Sequence, residues 1–371
     1  MSLEGIQNEK SVHTKAFGYA CSVCDCEAYD LGIGTPTVVF PDRRISVSDY
    51  FSRSRAKFSL EEVETHWRDY AIEPERLFEF LKSQTEQDVE NEAVRYADAG
   101  TDVLVSCQTS SDLAVRAGKE LLRARPEAAA QIEGIIYYSA TLSSTPAWST
   151  PCRLHFELGL KCETAFMVGQ KGANATYAAL RVGAEMLQVE DIRTLLLVGS
   201  ERFAPPHSRM FSVFSVQGDS ASAMLLGRGV YDYKLCCITL HDFAERPPNP
   251  ANSTRDEIFD YWSETAFTAL SDLVRSSGLQ RRKVPLVVPP NCGTELLRRI
   301  AAKMGIPWEK FELSALRNFG SLGSSDLAFN LDGLSQSGAI ERGAEIISFG
   351  FSSEGSVCGC VLRYEPRRGA R

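Results

Sequence analysis

Residues 166–175 of this chain read Phe-Met-Val-Gly-Gln-Lys-Gly-Ala-Asn-Ala. The apolar run that enters this stretch, residues 164–168, predicts a β-strand. The run that leaves it, residues 172–187, places apolar and small residues on every face of a helix, and a helix without a polar face has to be buried. The stretch therefore predicts a strand that passes through a short turn into a helix in the protein interior.

The same alternation of strands and helices continues on both sides of this stretch. Before and after it, residues 134–139 and 194–200 predict strands, and residues 113–124 predict an amphipathic helix. The second half repeats the order, with elements predicted at residues 284–288, 294–304, 320–325, 345–349 and 356–364. The strands at 220–226 and 356–362 share a small and apolar character, which indicates an internal duplication. We therefore predict an α/β fold of two stacked βαβαβ-type halves.

The boundary between the halves is predicted between residues 229 and 230, giving an N-terminal half (1–229) and a C-terminal half (230–371). Residues 41–91 depart from the pattern because they are charged, rich in aromatic residues and poor in strand signals. We predict that they form a helical insertion in the N-terminal half. Aromatic residues at helical spacing favour packing or a partner surface over a cofactor site.

The composition of the 371 residues, 44% apolar and 24% charged, is typical of a globular protein. The net charge of -8 argues against nucleic acid as a partner, because phosphate binding needs a basic face. No run of eighteen apolar residues is present, and the first residues lack the pattern of a secretory signal. We therefore expect a cytoplasmic protein with neither a nucleic-acid nor a membrane partner.

The chain contains 11 cysteines, an odd number that favours reduced thiols over a disulfide framework. Cys21, Cys24 and Cys26 are spaced closely enough to suggest a metal site. A closed zinc site needs four ligands, however, and no second Cys/His pair with matching spacing follows. We therefore predict no metal, and interpret these residues as buried thiols at the end of a strand.

Several stretches of the sequence, taken in order, resemble the motifs of a known family. Together with residues 165–168, they are residues 110–115, 154–159, 196–200, 218–223 and 350–355. In order and spacing they resemble the thiolase superfamily, specifically 3-oxoacyl-acyl carrier protein (ACP) synthase III, a ketoacyl synthase (KAS III). The resemblance implies a layered α-β-α-β-α fold, a two-fold dimer, and acyl-CoA or the phosphopantetheine of acyl-ACP as the ligand. It implies no bound cofactor.

The catalytic triad that this resemblance implies, Cys-His-Asn, is replaced throughout. The nucleophilic cysteine at the start of the buried helix corresponds to Gly172. The histidine motif V-P-H-x-x-N corresponds to residues 288–293, with Pro290 in place of histidine. The asparagine motif G-N-x-G corresponds to residues 320–323, with Ser321 in place of asparagine. Decarboxylative condensation by the family mechanism needs a nucleophile and an oxyanion donor, so we expect it to be lost.

Other side chains border the replaced positions and are candidate surrogates. Cys292 is predicted to lie near a helix N-terminus, where the helix dipole would lower the pKa of its thiol and make it a nucleophile. The alternative is a buried packing thiol. Lys171 and Asn174 border Gly172, and they could orient a thioester oxygen. The five histidines do not rebuild a triad; only His207 is placed where it could approach the pocket.

Three functions remain open at this point. The first is an accessory, pseudo-ketosynthase subunit that forms a homodimer, or a heterodimer with an active ketosynthase, in polyketide or fatty-acid-derived biosynthesis. The second is an acyltransferase that moves an acyl group to an acceptor by direct attack, and the third is a plain acyl-binding module. A basic set on one helix, Arg298, Arg299 and Lys303, could meet coenzyme A phosphates or an acidic carrier protein; the alternative is a solvated helix face.

Overall fold

The computed structural model describes residues 19–366, except residues 27–28, 47–101, 142–148, 190, 204–208, 212–214, 230–231, 244, 249–252, 280–284 and 353–354. Helices in this part of the chain are α1 (Ser110–Ala124), α2 (Thr150–Leu158), α3 (Ala175–Val189), α4 (Arg255–Ser276), α5 (Thr294–Met304), α6 (Ser314–Phe319) and α7 (Asp326–Ser337). All but six residues of the predicted 41–91 insertion lie outside the described residues.

The strands of the first half are β1 (Tyr19–Asp25), β2 (Leu31–Ile33), β3 (Thr37–Val39), β4 (Arg43–Ser46), β5 (Asp102–Val105), β6 (Gly134–Ser139), β7 (Thr164–Gly169), β8 (Thr194–Glu201), β9 (Met210–Phe211), β10 (Ser215–Val216) and β11 (Ser220–Arg228). Those of the second half are β12 (Tyr233–Phe243), β13 (Leu286–Val288), β14 (Glu345–Ser352) and β15 (Ser356–Tyr364). Strands and helices alternate as the sequence predicts.

The strand order shows the internal duplication directly. In the first half, β8 pairs in parallel with β6 and antiparallel with β11. In the second half, β14 pairs in parallel with β13 and antiparallel with β15. The strands β11 and β15, which the sequence matches by their small and apolar residues, therefore hold equivalent places.

The two halves are joined into one large sheet, ordered β13-β14-β15-β12-β2-β11-β8-β6-β7. The short strand β2 makes the connection because it pairs with both β11 and β12. Strand β1, although N-terminal in sequence, pairs with β12 along its whole length. The start of the chain thus contributes a strand to the second half.

The layers follow from the alternation of side chains along each strand. In β6, Ile135 and Tyr137 face the outer helices α1 and α2, whereas Ile136 and Tyr138 face the central helices. In β15, Val357 and Val361 face α4 and α5, whereas Cys358 and Cys360 face the centre. Helices α3 and α7 fill the space between the two half-sheets. The predicted α-β-α-β-α arrangement is confirmed.

The turn between β7 and α3 is tighter than the sequence pattern indicates. A helix is predicted from residue 172, but residues Gly172–Asn174 form a 3-10 turn and the α-helix begins at Ala175. Two residues in the turn, Gln170 and Gly172, have positive φ angles of 57° and 51°. Glycine adopts this conformation without steric cost, whereas glutamine does so only under strain. The chain reverses direction within these few residues.

Candidate functional site

The turn that carries Gly172 lies in the middle of the molecule. It packs against strand β14 and against a second 3-10 turn, Gly323–Ser325, which precedes α7. The hydroxyl of Thr176 donates a hydrogen bond to the carbonyl oxygen of Ser324 and ties the start of α3 to this second turn. Position 172 is a glycine, so the turn presents no nucleophilic side chain there.

Asn174 and Lys171, the predicted neighbours of this turn, both have protein partners. Asn174 is fully buried, and its amide nitrogen donates to the backbone oxygen and the hydroxyl oxygen of Ser356, at 3.1 and 2.8 Å. The Nζ atom of Lys171 lies 3.1 Å from both carboxylate oxygens of Asp242. Both side chains therefore connect the turn to the second half of the chain. The amide nitrogen of Asn174 is occupied by its hydrogen bonds to Ser356.

Pro290 follows β13 and is buried, and the next residue links its loop to α7. Both the backbone and the side-chain nitrogen of Asn291 donate to the carboxylate of Asp326, at 2.9 and 3.1 Å. The side-chain oxygen of Asn291 accepts from Asn330, whose Nδ2 atom also reaches the carbonyl oxygen of Pro289, 3.1 Å away. The loop that would carry the family histidine is thus held by a network of amides around one carboxylate.

Cys292 does not have the environment that the sequence predicts. Only 2% of its surface is exposed, and its side chain packs with Leu296 and Ile300 in the outer core that α4 and α5 cover. Burial, with a smaller contribution from the charge of Asp326, raises the pKa of the Cys292 thiol well above its usual value. The predicted lowering of this pKa by the helix dipole is wrong, because desolvation is the larger effect. The thiol has the features of the alternative, a packing residue.

Ser321 lies in a buried loop and is held by the first half of the molecule. Its carbonyl oxygen accepts a hydrogen bond from the backbone of Gly218 at 2.8 Å. Its hydroxyl oxygen accepts from the backbone of Gly323 at 3.3 Å. The hydroxyl has no base beside it among the described contacts, so Ser321 acts as a loop residue in this structure. We call Gly172, Pro290 and Ser321 together the vacated centre.

Two buried carboxylates beside the vacated centre were not identified from the sequence. Glu201, at the end of β8, accepts from the backbone nitrogens of Ala140 and Thr141 at 2.7 and 2.9 Å, and from the hydroxyl of Ser324. Asp326, the first residue of α7, also accepts from the backbone of Leu322 at 2.6 Å. The sequence signals were weak: an acid that ends a strand, and an acid that opens a helix.

Burial raises the pKa of both carboxyl groups, and in Asp326 it raises it to about 7. The three backbone and side-chain donors around Asp326 lower its pKa, but by less than burial raises it. The negative charge of Glu201 adds to the increase. The centre therefore contains a carboxyl group that can hold a proton close to neutral pH.

A buried ion pair in the first half of the chain lies next to the vacated centre. The guanidinium of Arg209 contacts both oxygens of Asp219, at 2.7 and 3.0 Å. Asp219 also accepts from the backbone nitrogens of Ser106 and Phe203, at 2.7 and 2.8 Å. This carboxylate joins the chain after β5, the chain after β8 and the start of β11, directly beside the loop of Ser321.

The histidines in the described part of the chain do not supply a base to the vacated centre. His241 is fully buried on β12, and its Nδ1 atom lies 4.0 Å from a carboxylate oxygen of Asp272 on α4, in the outer layer. Burial lowers the pKa of His241 to about 4. His155 lies on α2. His13, His66 and His207 fall outside the described residues.

Two of the three residues in the basic set on α5 are paired with acids. Arg299 contacts the carboxylates of Asp256, Asp260 and Glu295 at 2.6, 2.9 and 3.1 Å, and Lys303 contacts Glu264. The guanidinium of Arg298 lies 4.3 Å from the ring centroid of Trp308. These contacts give all three residues a role in holding α5 to its neighbours. Their binding of coenzyme A or a carrier protein remains a prediction.

Neither a metal site nor a membrane-spanning helix is present among the residues that the structure describes. No group of three or more histidine, cysteine, aspartate or glutamate side chains there is arranged to hold a metal ion. Cys26 is buried, and the side chains of Cys21 and Cys24 lie outside the description. No described helix is both long enough and apolar enough to cross a bilayer.

Known proteins of similar sequence point to one family. Residues 274–364 match the family model of the 3-oxoacyl-[acyl-carrier-protein (ACP)] synthase III C terminal. The β-ketoacyl-[acyl-carrier-protein] synthase III of Clostridium perfringens (strain SM101 / Type A) is 24% identical over 316 residues, which are 78% of this chain and 94% of the relative. The synthase III of Clostridium acetobutylicum is 22% identical over 281 residues, 69% of this chain and 85% of that protein.

Solved structures show the same fold. The 3-oxoacyl-[acyl-carrier-protein] synthase III of Aquifex aeolicus VF5 superposes with a TM-score of 0.67 at 18% identity, covering 90% of this chain and 100% of that chain. A structure described as ChlB3 [Aceyltransferase] gives a TM-score of 0.67 at 16% identity, covering 91% of this chain and 98% of that chain. The likeness therefore covers most of the chain.

Proposed function

Because this chain is a KAS III-like protein of the thiolase superfamily, we propose that it handles acyl groups without condensing them. It acts as an accessory, pseudo-ketosynthase subunit that binds acyl groups or pairs with an active ketosynthase. The setting is the synthesis of polyketides or of fatty-acid-derived metabolites in the cytoplasm. What supports the proposal is the vacated centre: the fold is that of the family, while the three positions that the resemblance assigns to the triad hold glycine, proline and serine.

The described neighbours of the vacated centre do not replace the missing nucleophile. Cys292 faces the outer core, and its raised pKa leaves little thiolate at neutral pH. The amide of Asn174 is occupied by Ser356, and the ammonium of Lys171 by Asp242. A fold without an acylated residue can still bind a ligand or a partner, since binding surfaces belong to the scaffold.

We propose strand β7 as the pairing surface of the subunit. It is the last strand of the large sheet, so one of its edges has no neighbouring strand within the described residues. Met167 on this strand is 42% exposed, and the apolar residues on either side of it are only half-buried. An apolar edge strand next to the turn of Gly172 suits the two-fold pairing that the family resemblance implies. A second KAS III-like chain, identical or intact in its triad, is the partner.

The test combines acylation and pairing. The purified protein is incubated with a panel of acyl-CoA and acyl-ACP donors, and its intact mass is measured. We expect no adduct and no condensation with malonyl-ACP. A stable adduct would contradict the proposal, and loss of that adduct in the Cys292→Ser variant would identify the nucleophile.

In parallel, light scattering measures the mass of the protein in solution and so tests the pairing. We expect a dimer that Met167→Lys weakens, with the exposed Phe156→Lys substitution on α2 as the control.

An acyltransferase that works by direct attack on a bound thioester is the second candidate. The observation that favours it is the pair of buried carboxyl groups, Glu201 and Asp326, because a carboxyl that titrates near neutral pH can accept a proton from an acceptor alcohol or amine. Release of free coenzyme A from acyl-CoA in the presence of such an acceptor, without a protein adduct, distinguishes this candidate from the accessory subunit.

A further inference from the structure

The carboxylate of Glu201 is surrounded by hydrogen-bond donors from both halves of the chain. The backbone nitrogens of Ala140 and Thr141, directly after β6, donate to its two oxygens at 2.7 and 2.9 Å. The backbone nitrogen of Ser324 donates at 3.3 Å to the oxygen that also accepts from Ala140, and the hydroxyl of Ser324 donates to the same oxygen. Backbone N–H groups around a carboxylate are the donors that bind anions strongly in proteins.

No cation compensates the charge of this carboxylate. Glu201 is fully buried, and none of the lysines, arginines and histidines in the described part of the chain forms an ion pair with it. Burial raises the pKa of the carboxyl group, whereas the hydrogen bonds from Ser324, Ala140 and Thr141 lower it. Each of its oxygens accepts from an N–H group, which favours the ionised form. The N–H and O–H donors therefore replace a partner cation.

The turn that contributes Ser324 has a backbone conformation suited to anions. Leu322 has φ and ψ angles of -118° and 20°, and Gly323 follows with a positive φ angle of 59°. In a turn of this kind, successive backbone N–H groups form a concave site for a negative charge. Two buried carboxylates bind here, since Asp326 accepts from Leu322 at 2.6 Å and Glu201 accepts from Ser324.

Gly323 allows the side chain of Glu201 to approach this turn closely. A Cβ atom at position 323 would lie 3.1 Å from Cγ and 3.5 Å from Oε1 of Glu201. The positive φ angle is a second reason for glycine, because an L-residue with a side chain adopts it only at a steric cost. The site therefore fits the Glu201 side chain on this side as well.

We propose that the end of β6 and the turn at residues 322–324 together form a carboxylate-binding site beside the vacated centre, and that Glu201 is its internal ligand. The bound carboxylate joins the two halves, because Ala140 and Thr141 belong to the first and Ser324 to the second. While Glu201 occupies these donors, they cannot stabilise the carbonyl oxygen of a thioester. The proposal holds for an accessory subunit and for an acyltransferase alike.

The experiment is a chemical rescue with formate. Glu201→Ala removes the anion and leaves space beside donors that are then buried without a partner, so we expect a loss of stability. The thermal unfolding of the full-length variant is measured with increasing sodium formate, and with sodium chloride at the same ionic strength. We expect formate to raise the melting temperature in a saturable manner, because it binds the folded state, and chloride to have no such effect.

Two variants separate a built site from a general effect of the salt. Glu201→Gln retains the volume of the side chain, so formate has no space to bind and should not restore stability. Glu133→Ala is the matched control. The exposed carboxylate of Glu133 also accepts from two backbone nitrogens, those of Arg193 and Thr194, at 2.5 and 3.4 Å. Water can replace it there, so formate should not act on this variant in a saturable manner.

The proposal is overturned if formate raises the melting temperature of Glu201→Ala no more than that of the wild type or of Glu133→Ala. An equal response of Glu201→Gln would overturn it too. If Glu201→Ala does not fold in either salt, Glu201→Asp and Glu201→Gln decide: a site for an anion leaves the aspartate variant more stable than the glutamine variant, and the reverse order contradicts it. Acyl donors play no part in this test, so it can fail while the proposed function stands.

Discussion

Cysteines of this chain differ sharply in their surroundings. Cys107, just before α1, and Cys152, in the first turn of α2, are exposed. Cys292 is buried in the outer core, and burial raises the pKa of its thiol well above the usual value. Since the thiolate is the reactive form, the burial of Cys292 and its raised pKa both lower its reactivity.

We predict that iodoacetamide labels Cys107 and Cys152 in the folded protein at least about tenfold faster than Cys292, because each unit of raised pKa reduces the thiolate fraction about tenfold. Peptide mapping by mass spectrometry after short labelling times measures the three rates. Labelling in denaturing urea is the control, and there the rates should converge. Equal labelling of Cys292 in the folded protein would restore it as a candidate nucleophile.

The buried pair of Arg209 and Asp219 gives a prediction about stability. Removal of one partner leaves the other charge buried without compensation, which costs about 3–5 kcal/mol. We expect Arg209→Met to lower the free energy of unfolding by that amount, measured by urea denaturation. Asp219→Asn should be similarly destabilising, since Asp219 also holds two backbone nitrogens.

The double variant Arg209→Met with Asp219→Asn should lose less stability than the sum of the single variants, because the two substitutions remove one shared interaction. Arg116→Met is the matched control, because its ion pair with Asp42 is exposed and should contribute no more than about 1 kcal/mol. Additive losses in the double variant would show that the pair is not the source of the effect.

Helices α4 and α5 are held together by charges as well as by their apolar faces. Arg299 and Lys303 on α5 reach acids on α4, and Arg255 on α4 reaches Glu295 on α5 at 2.6 Å. Helix α4 begins with a capping box, in which Thr254 and Glu257 each satisfy the backbone nitrogen of the other. Arg299 and Lys303 are therefore neutralised locally, although in the sequence they form a positive patch together with Arg298.

We predict that the double substitution Arg299→Ala with Lys303→Ala changes acyl-CoA affinity by less than about threefold and stability by about 1 kcal/mol per ion pair at most. Fluorescence titration and urea unfolding measure the two quantities. Thr254→Ala is the comparison for a purely structural change, with an expected loss of about 1 kcal/mol. A fall of tenfold or more in acyl-CoA affinity with unchanged stability would instead identify the patch as a phosphate site.

The two halves of the whole molecule share their central layer. Leu195 and Leu197 of β8 belong to the same buried cluster as Leu235 and Ile238 of β12, with α3 and α7 between them. Strand β1 crosses from the first half to pair with β12 in the second. A division between residues 229 and 230 thus follows the duplication of the strands, while the core is common to both parts.

We predict that a fragment of residues 1–229 does not fold cooperatively by itself, because it would expose the apolar face that covers the central layer. Thermal unfolding followed by circular dichroism tests this, with the intact chain as the control. Co-expression with residues 230–371 should restore a cooperative transition. A cooperative transition of the isolated fragment would show that each half is an independent domain.

Local patterns in the amino-acid sequence were sufficient for the order of strands and helices and for the duplication. These properties depend on side chains that are neighbours along the chain or on motif positions that can be matched directly. The start of α3 differs from the prediction, because residues Gly172–Asn174 form a 3-10 turn that the residue types do not distinguish from the first turn of an α-helix.

Only the tertiary structure decided the chemistry around the vacated centre. Asp326 meets Asn291 from 35 positions away, and Glu201 meets Ser324 from 123 positions away, so no local pattern predicts either contact. The pKa of Cys292 depends on which layer its side chain enters, and burial there outweighs the helix terminus that the sequence indicates. Desolvation depends on everything that surrounds a group, and that environment exists only once distant segments have packed together.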